Sequence, residues 1–199
     1  MTHSDDEKFM ALALEEAARA AELGEVPIGA VVVHDGGVIA RAGNRRETDV
    51  DPAAHAEFSA LIQASRVLGR WRLTGCTVYV TLEPCLMCAG LMVNSRIDRC
   101  VFGAPDPKGG AVGTLYDVSH DARLNHEFEV EGGVLEAECA EVLRAFFKRR
   151  RAEAKAAKLA ARMAQLGEPA LPAGGEPVSS AGSGAPQIEP PASPESVLA

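Results

Sequence analysis

Apolar residues recur at helical spacing at the start of the chain: Phe9, Ala13, Ala17 and Ala20 share one side of a helix predicted over residues 7–23. Gly24 offers a C-terminal stop. The pattern then becomes a continuous apolar run, Ile28 to Val33, which predicts a strand. Asp35-Gly36-Gly37 reads as a hairpin turn, and Val38-Ile39-Ala40 begins the partner strand. Residues 44–51 are a polar loop. Pro52 opens a helix that carries His55 and Glu57 in its first turn and runs to about Leu68. Cys76 to Leu82 is a strand. Glu83-Pro84 turns into a helix from Cys85 to about Asn94, with Pro84 at or just before its first position. Arg99 to Phe102 is a further strand, followed by a glycine-rich loop over 103–113. Phe128 to Val130 reads as a short last strand, and one long helix runs from Val134 to about Gln165, apolar early and basic late. The chain contains no internal repeat. Alternating strands and helices predict an α/β layered domain: a sheet of about five strands flanked by helices.

The 199 residues suffice for one domain with a proper core. That domain is expected over 1–165, with the basic helix of about 134–165 at its end. From 166 to 199 Pro, Gly, Ser and Ala dominate. Such a segment cannot bury enough apolar surface to offset the entropy of ordering it, so a disordered tail is expected. No apolar run is long enough to span a membrane. The first ten residues lack the basic and apolar regions of a signal peptide, which points to a cytoplasmic protein. Of five cysteines, Cys76, Cys100 and Cys139 lie in apolar stretches and read as buried free thiols.

A net charge of −8 looks wrong for a nucleic-acid binder, but its distribution changes that picture. Residues 1–143 carry 12 Lys/Arg against 23 Asp/Glu, whereas residues 144–162 carry 8 against 1. A basic helix on an acidic body is a local footprint of the kind that touches phosphates.

The chemistry lies in two short motifs. His55-Ala56-Glu57 and Pro84-Cys85-Leu86-Met87-Cys88 match the H-x-E…P-C-x-x-C signature of zinc-dependent nucleobase deaminases. His55, Cys85 and Cys88 are three ligands for one tetrahedral Zn²⁺ per chain, and a catalytic site keeps its fourth position for water. Glu57 is not needed as a ligand and is free to move protons. Both motifs fall at predicted helix N-termini, where unpaired N–H groups and the helix dipole favour thiolates. A structural zinc would need a fourth protein ligand, and His34, His120 and His126 lie far from both motifs in sequence.

The chain resembles the tRNA-specific adenosine deaminases, within the cytidine deaminase-like superfamily, from about residue 7 to about residue 160. The resemblance rests on both metal motifs and on Val26-Pro27-Ile28-Gly29-Ala30-Val31, Asn44-Arg45, Ser95-Arg96-Ile97, Phe102-Gly-Ala-Pro-Asp106-Pro-Lys108 and Phe146-Phe147-Lys148-Arg149-Arg150-Arg151. It implies a three-layer fold around a mixed sheet and hydrolytic deamination of the wobble adenosine of a tRNA anticodon to inosine by a homodimer. It further implies that Asn44 contacts the target nucleoside and that Val26, Pro27 and Ile28 wall the base pocket. On the same basis Asp106 touches the backbone near the flipped residue, and Phe147 and Arg150 contact the anticodon loop. Glu57 takes the attacking water's proton, returns it to the ring and helps ammonia leave. The N–H groups near Ala56 and Cys85 are candidate anchors for substrate.

Two rival functions use the same residues. A deaminase of a free base such as guanine or cytosine shares the chemistry without RNA, and the basic stretch 144–162 counts against it. An RNA-binding or assembly module with a structural zinc leaves Glu57 unexplained.

Overall fold

The computed structural model describes residues 3–167. Five strands form one sheet: β1 (Gly29–His34), β2 (Gly37–Gly43), β3 (Cys76–Leu82), β4 (Arg99–Ala104) and β5 (Glu129–Gly132). Their order is β2-β1-β3-β4-β5. The β1–β2 and β1–β3 pairs are antiparallel, and β3–β4 and β4–β5 are parallel, so the sheet is mixed. Four helices accompany it: α1 (His3–Glu22), α2 (Ala56–Leu68), α3 (Leu86–Ser95) and α4 (Glu136–Gly167). The predicted α/β architecture is therefore the observed one. The chain separates into two compact units, residues 1–159 and 160–199. The first holds the sheet; of the second, only the last turns of α4 are described. The expected tail lies outside the described residues beyond Gly167.

Strand alternation builds the three layers. Ala30, Val32, Val78, Val80 and Cys100 point to one face and pack with Ala60, Leu61 and Ala64 of α2 and Ala89, Met92 and Val93 of α3. Val31, Val33, Tyr79 and Val101 point to the other face and pack with Phe9, Met10 and Ala13 of α1 and Cys139 of α4. Cys76, Cys100 and Cys139 are buried free thiols, as expected. Among the described residues, no helix is long and apolar enough to cross a membrane.

Local chemistry shifts several predicted boundaries. The hairpin turn has φ of 48° at Asp35 and 73° at Gly36, the two-residue turn that suits strand twist. Ile28 lies before β1, because its N–H donates to the Val26 carbonyl at 2.8 Å and makes a tight turn around Pro27. Helix α2 does not start at Pro52. Asp51 instead accepts from the Ala53 N–H at 2.8 Å and, through its carbonyl, from Ala54 at 3.2 Å, so a turn comes first and His55 becomes the N-cap. Cys85 likewise caps α3 rather than lying within it. Helix α4 starts two residues late because Gly133 and Leu135 have φ of 88° and 51°. Gly103 belongs to β4, not to a loop, and a Cβ there would sit 2.3 Å from Cys139 Sγ.

Helix α1 is tied to the sheet by a buried polar cluster. Arg99 donates twice to Asp6, at 2.7 and 3.0 Å, and the Tyr79 hydroxyl donates to Asp6 at 2.7 Å. Arg99 also pairs with Glu131. Burial alone would raise the Asp6 carboxyl, but the hydrogen bonds from Arg99 and Tyr79 outweigh it and hold the group below its ordinary value. Because the folded pKa is depressed, the stabilisation is present above the unfolded value and fades as pH falls through the folded one. Asp6→Asn should therefore cost about 2–3 kcal/mol at pH 7. The gap should narrow below about pH 4, as urea unfolding of both proteins across pH would measure.

Candidate active site

The caps of α2 and α3 meet at one point. His55 (φ −74°, ψ 150°) and Cys85 (φ −76°, ψ 173°) are both extended, and neither side chain caps its own helix. Their side chains are thereby free to face each other. Cys85 Sγ and Cys88 Sγ each lie 3.7 Å from His55 Nδ1. One ligand atom from each of His55, Glu57, Cys85 and Cys88 falls within 4.8 Å of the others. Metal–sulfur bonds of about 2.3 Å and a metal–nitrogen bond of about 2.05 Å in a tetrahedron imply a sulfur–nitrogen edge of about 3.6 Å. The observed spacing fits a small tetrahedral cation with Nδ1 as the imidazole ligand. The hydrogen bond from Cys88 brings the Cys85 thiol down to about 3, and that same contact, with burial, pushes Cys88 up. The hydrogen bond to Cys85 raises His55. Protons shared within such a donor set are the ones a cation displaces. His34, His120 and His126 are engaged elsewhere, with Gly75, Ser119 and the Ile97 carbonyl.

Glu57 stands second in α2 and is buried, at 4% exposure. Its Oε2 has no hydrogen-bond partner among the described residues. An orphan buried acceptor normally costs about 1–3 kcal/mol, so its position beside the donor set marks a group waiting for a ligand. Burial raises its carboxyl above the ordinary range.

Two buried carboxylates that sequence reasoning missed hold the surroundings. Glu83 accepts from the N–H groups of Asp106 (3.0 Å), Val112 (3.3 Å) and Thr114 (3.0 Å), and from the Thr114 hydroxyl. A Cβ on Gly110 would meet the Glu83 carboxylate at 2.3–2.6 Å, so only glycine fits there. Glu83, two residues before Cys85, thus clamps the loop after β4. Glu25 accepts from Asn44 Nδ2 at 3.1 Å and from the Thr48 N–H at 2.6 Å. Asn44 in turn donates its own N–H to the Ile28 carbonyl at 2.9 Å, which joins it to the Val26-Pro27-Ile28 turn. Nothing in the local pattern reveals these roles, although the run Glu83-Pro84-Cys85 places one carboxylate against the motif.

Asp106 is held in a turn through its side chain, which accepts from Lys108 N at 2.9 Å. It lines a groove of about 570 Å³ together with Val26, Leu82, Lys108, Arg144, Phe147 and Arg151. The structure therefore brings Val26, Asp106 and Phe147 together. It places Arg150 on the other flank of Phe147, in a neighbouring depression with Glu153. Arg144, Arg151 and Lys108 are the groove's cations; Arg151 belongs to the basic run already noted in the sequence, whereas Arg144 and Lys108 had no assigned role. Phe146 and Phe147 stack edge to face at 5.4 Å, with Phe146 buried and Phe147 44% exposed. Ala56 follows the His55 cap at the start of α2.

A buried free carboxylate beside a sulfur–imidazole donor set, at two helix starts on one face of a mixed sheet, is the constellation of a metal-dependent deaminase. Comparison with known proteins agrees. The family of MafB19-like deaminases matches residues 4–151. The tRNA-specific adenosine deaminase of Bacillus subtilis (strain 168) is 54% identical over 155 residues, covering 78% of this chain and 96% of that protein. A solved structure from studies of A-to-I editing by tRNA:A34 deaminases at the wobble position superposes with a TM-score of 0.66 at 49% identity, over 68% of this chain and 99% of that one. A guanine deaminase from Nitrosomonas europaea is more distant, with a TM-score of 0.59 at 27% identity over 70% of this chain and 83% of that one. The chain belongs to the tRNA-specific adenosine deaminases.

The Glu83 clamp makes a local prediction. In Glu83→Gln one carboxylate oxygen becomes an amide that faces backbone donors. Hydrogen exchange should accelerate at Asp106, Val112 and Thr114 while β1–β3 amides stay protected, with a stability loss of about 1–3 kcal/mol. Exchange measured by NMR on both proteins would check this, and unchanged rates at all three amides would count against the clamp.

Proposed function

We propose that this chain hydrolyses the wobble adenosine of a tRNA anticodon to inosine, with one Zn²⁺ held by His55, Cys85 and Cys88. The observation that carries the reading is the orphan Glu57 Oε2 beside three converging donors. Two sulfurs and one imidazole are the donor set of zinc, and among the described residues no further histidine or cysteine converges on them, which leaves a position for water. Zinc in that cradle supplies Lewis acidity, which makes water nucleophilic near neutral pH.

The chain's own residues handle the protons. Glu57 takes a proton from the water that attacks C6 of adenine and delivers it to ring N1. It then carries the proton of the new hydroxyl to the 6-amino group, which leaves as ammonia and yields the inosine carbonyl. Adenosine and water thus balance inosine and ammonia. Asn44, oriented by Glu25, presents its Oδ1 to the nucleoside. Val26, Pro27 and Ile28 form an apolar wall, and the N–H groups at Ala56 and Cys85 anchor the substrate. Asp106 and Phe147 line the groove that receives the neighbouring nucleotides, with Arg144 and Arg151 as its cations and Arg150 beside it. An unpaired loop base is the easiest kind to extrude into such a pocket. The enzyme acts as a homodimer in the cytoplasm, where its tRNA substrate is used.

Purified protein should carry one zinc per chain, and His55→Ala should lose it. Glu57→Ala should keep the metal and the fold while turnover falls by at least about 10²–10⁴-fold. Elemental analysis, with inosine formation measured on an anticodon stem-loop, checks both. Free guanine and cytosine assayed in parallel separate this reading from a free-base deaminase, which would act on them and ignore the RNA.

A further inference from the structure

The family match ends at residue 151, yet α4 continues to Gly167. Along this helix Arg144, Lys148, Arg151, Lys155 and Lys158 are spaced by four, three, four and three residues. That spacing places all five on one stripe of an α-helix. The stripe starts at Arg144 and Arg151, which line the groove beside Asp106. At 1.5 Å per residue it extends about 21 Å along the helix.

Every residue from Phe147 to Ala164 is exposed. Among the described residues Arg144 pairs with Glu141, whereas Lys148, Arg151, Lys155 and Lys158 form no ion pair with an acidic side chain. The one acidic residue on this stretch, Glu153, lies opposite the stripe and meets Arg149 at 3.7 Å. Lys148, Arg151, Lys155 and Lys158 are therefore uncompensated and aligned. Between Lys148 and Lys158 the other residues are arginine, glutamate and alanine, with no aromatic and no bulky apolar side chain. Unpaired bases are held by stacking on aromatic groups, and this stretch has none. Interfaces with protein partners rest on clustered aromatic or aliphatic anchors, and beyond Lys158 the described side chains offer only the separate, exposed Leu159 and Met163. A membrane-surface helix needs an apolar face opposite its cations, and here that side carries Glu153, Arg149 and alanines. What remains is a regular, sequence-blind anion array, which is the backbone of a nucleic-acid duplex.

We propose that Lys155 and Lys158 extend the groove into a phosphate-binding rail that engages the double-stranded stem closing the substrate loop. This rests on the reading of the chain as an RNA-acting deaminase. The loop is held at the groove; the rail lies beyond it and reads backbone charge alone.

The test compares two synthetic hairpins with the same adenosine-containing loop, one on a short stem and one on a long stem. The full-length chain and Lys155→Gln/Lys158→Gln are measured for binding by fluorescence anisotropy across a salt series, and for deamination. Arg66→Glu changes the net charge equally from an exposed position at the far end of α2 and serves as the control. On the long hairpin, the double variant should lose about 1.4–1.8 from the log–log salt slope, with its Kd approaching that for the short hairpin. On the short hairpin its Kd, KM and kcat should match the parent, and circular dichroism should show the same helix content. An unchanged slope on the long hairpin would overturn the rail. So would equal weakening on both hairpins, which would place these lysines at the loop, or an equal effect of Arg66→Glu, which would reduce the result to net charge. Stem-dependent binding without deamination by the parent would sink the proposed activity and leave the rail standing.

Discussion

Two helix caps, His55 and Cys85, have to meet within a few ångströms, and the rest of the molecule is arranged around that requirement. Their donor atoms, with Cys88 Sγ and a Glu57 carboxylate oxygen, come from two stretches about thirty residues apart and converge within 4.8 Å of one another. The protein meets this by giving both caps extended backbone with side chains that make no capping bond. Helices α2 and α3 then pack on the same face of the sheet, through Ala60, Leu61 and Ala64 on one and Ala89, Met92 and Val93 on the other. Small alanines let the helices approach the strands closely. The positive ends of both dipoles point at the sulfurs, so the fold itself favours the thiolate state that binding needs.

Buried carboxylates flank the cluster of His55, Cys85 and Cys88 on several sides. Glu57 has one oxygen left without a partner. Glu83 is the reverse case, saturated by donors from the loop after β4. Glu25 stands between, orienting Asn44 and tying down Thr48. The same residue type thus stands with an oxygen unpaired at Glu57, as a loop clamp at Glu83 and as the hydrogen-bond partner of Asn44 at Glu25. The difference lies in how many donors the tertiary structure brings to each, because a satisfied buried carboxylate is rigid and an unsatisfied one is available.

Helix α4 divides along its length by the same logic. Its first turns bury Cys139 in the core with α1 and the sheet, Phe146 is buried as well, and neighbouring residues line the groove with Asp106. Adjacent phenylalanines part company here: Phe146 goes inward and Phe147 stays half exposed, because consecutive helical positions diverge by about 100°. Farther on every side chain to Ala164 is exposed, and alanine, lysine and arginine sustain the helix through propensity.

Much of the fold was legible in the sequence. Apolar runs and turn signals marked the five strands of the described residues, with β3 read to the residue, and helical spacing, proline starts and the apolar-to-basic change marked the four helices. The meeting of His55, Glu57, Cys85 and Cys88 at one point was legible in two short motifs. Helix starts were less legible: α2 was displaced by the Asp51 turn and α4 by left-handed backbone at Gly133 and Leu135, both set by specific hydrogen bonds and dihedrals. The strand order, the burial of Glu25 and Glu83, and the meeting of Val26, Asp106, Arg144, Phe147 and Arg151 at one groove belong to the tertiary structure alone. Local sequence determines periodicity and chemical identity. Which distant residues become neighbours depends on how the sheet is ordered and on which side chains its packing removes from water.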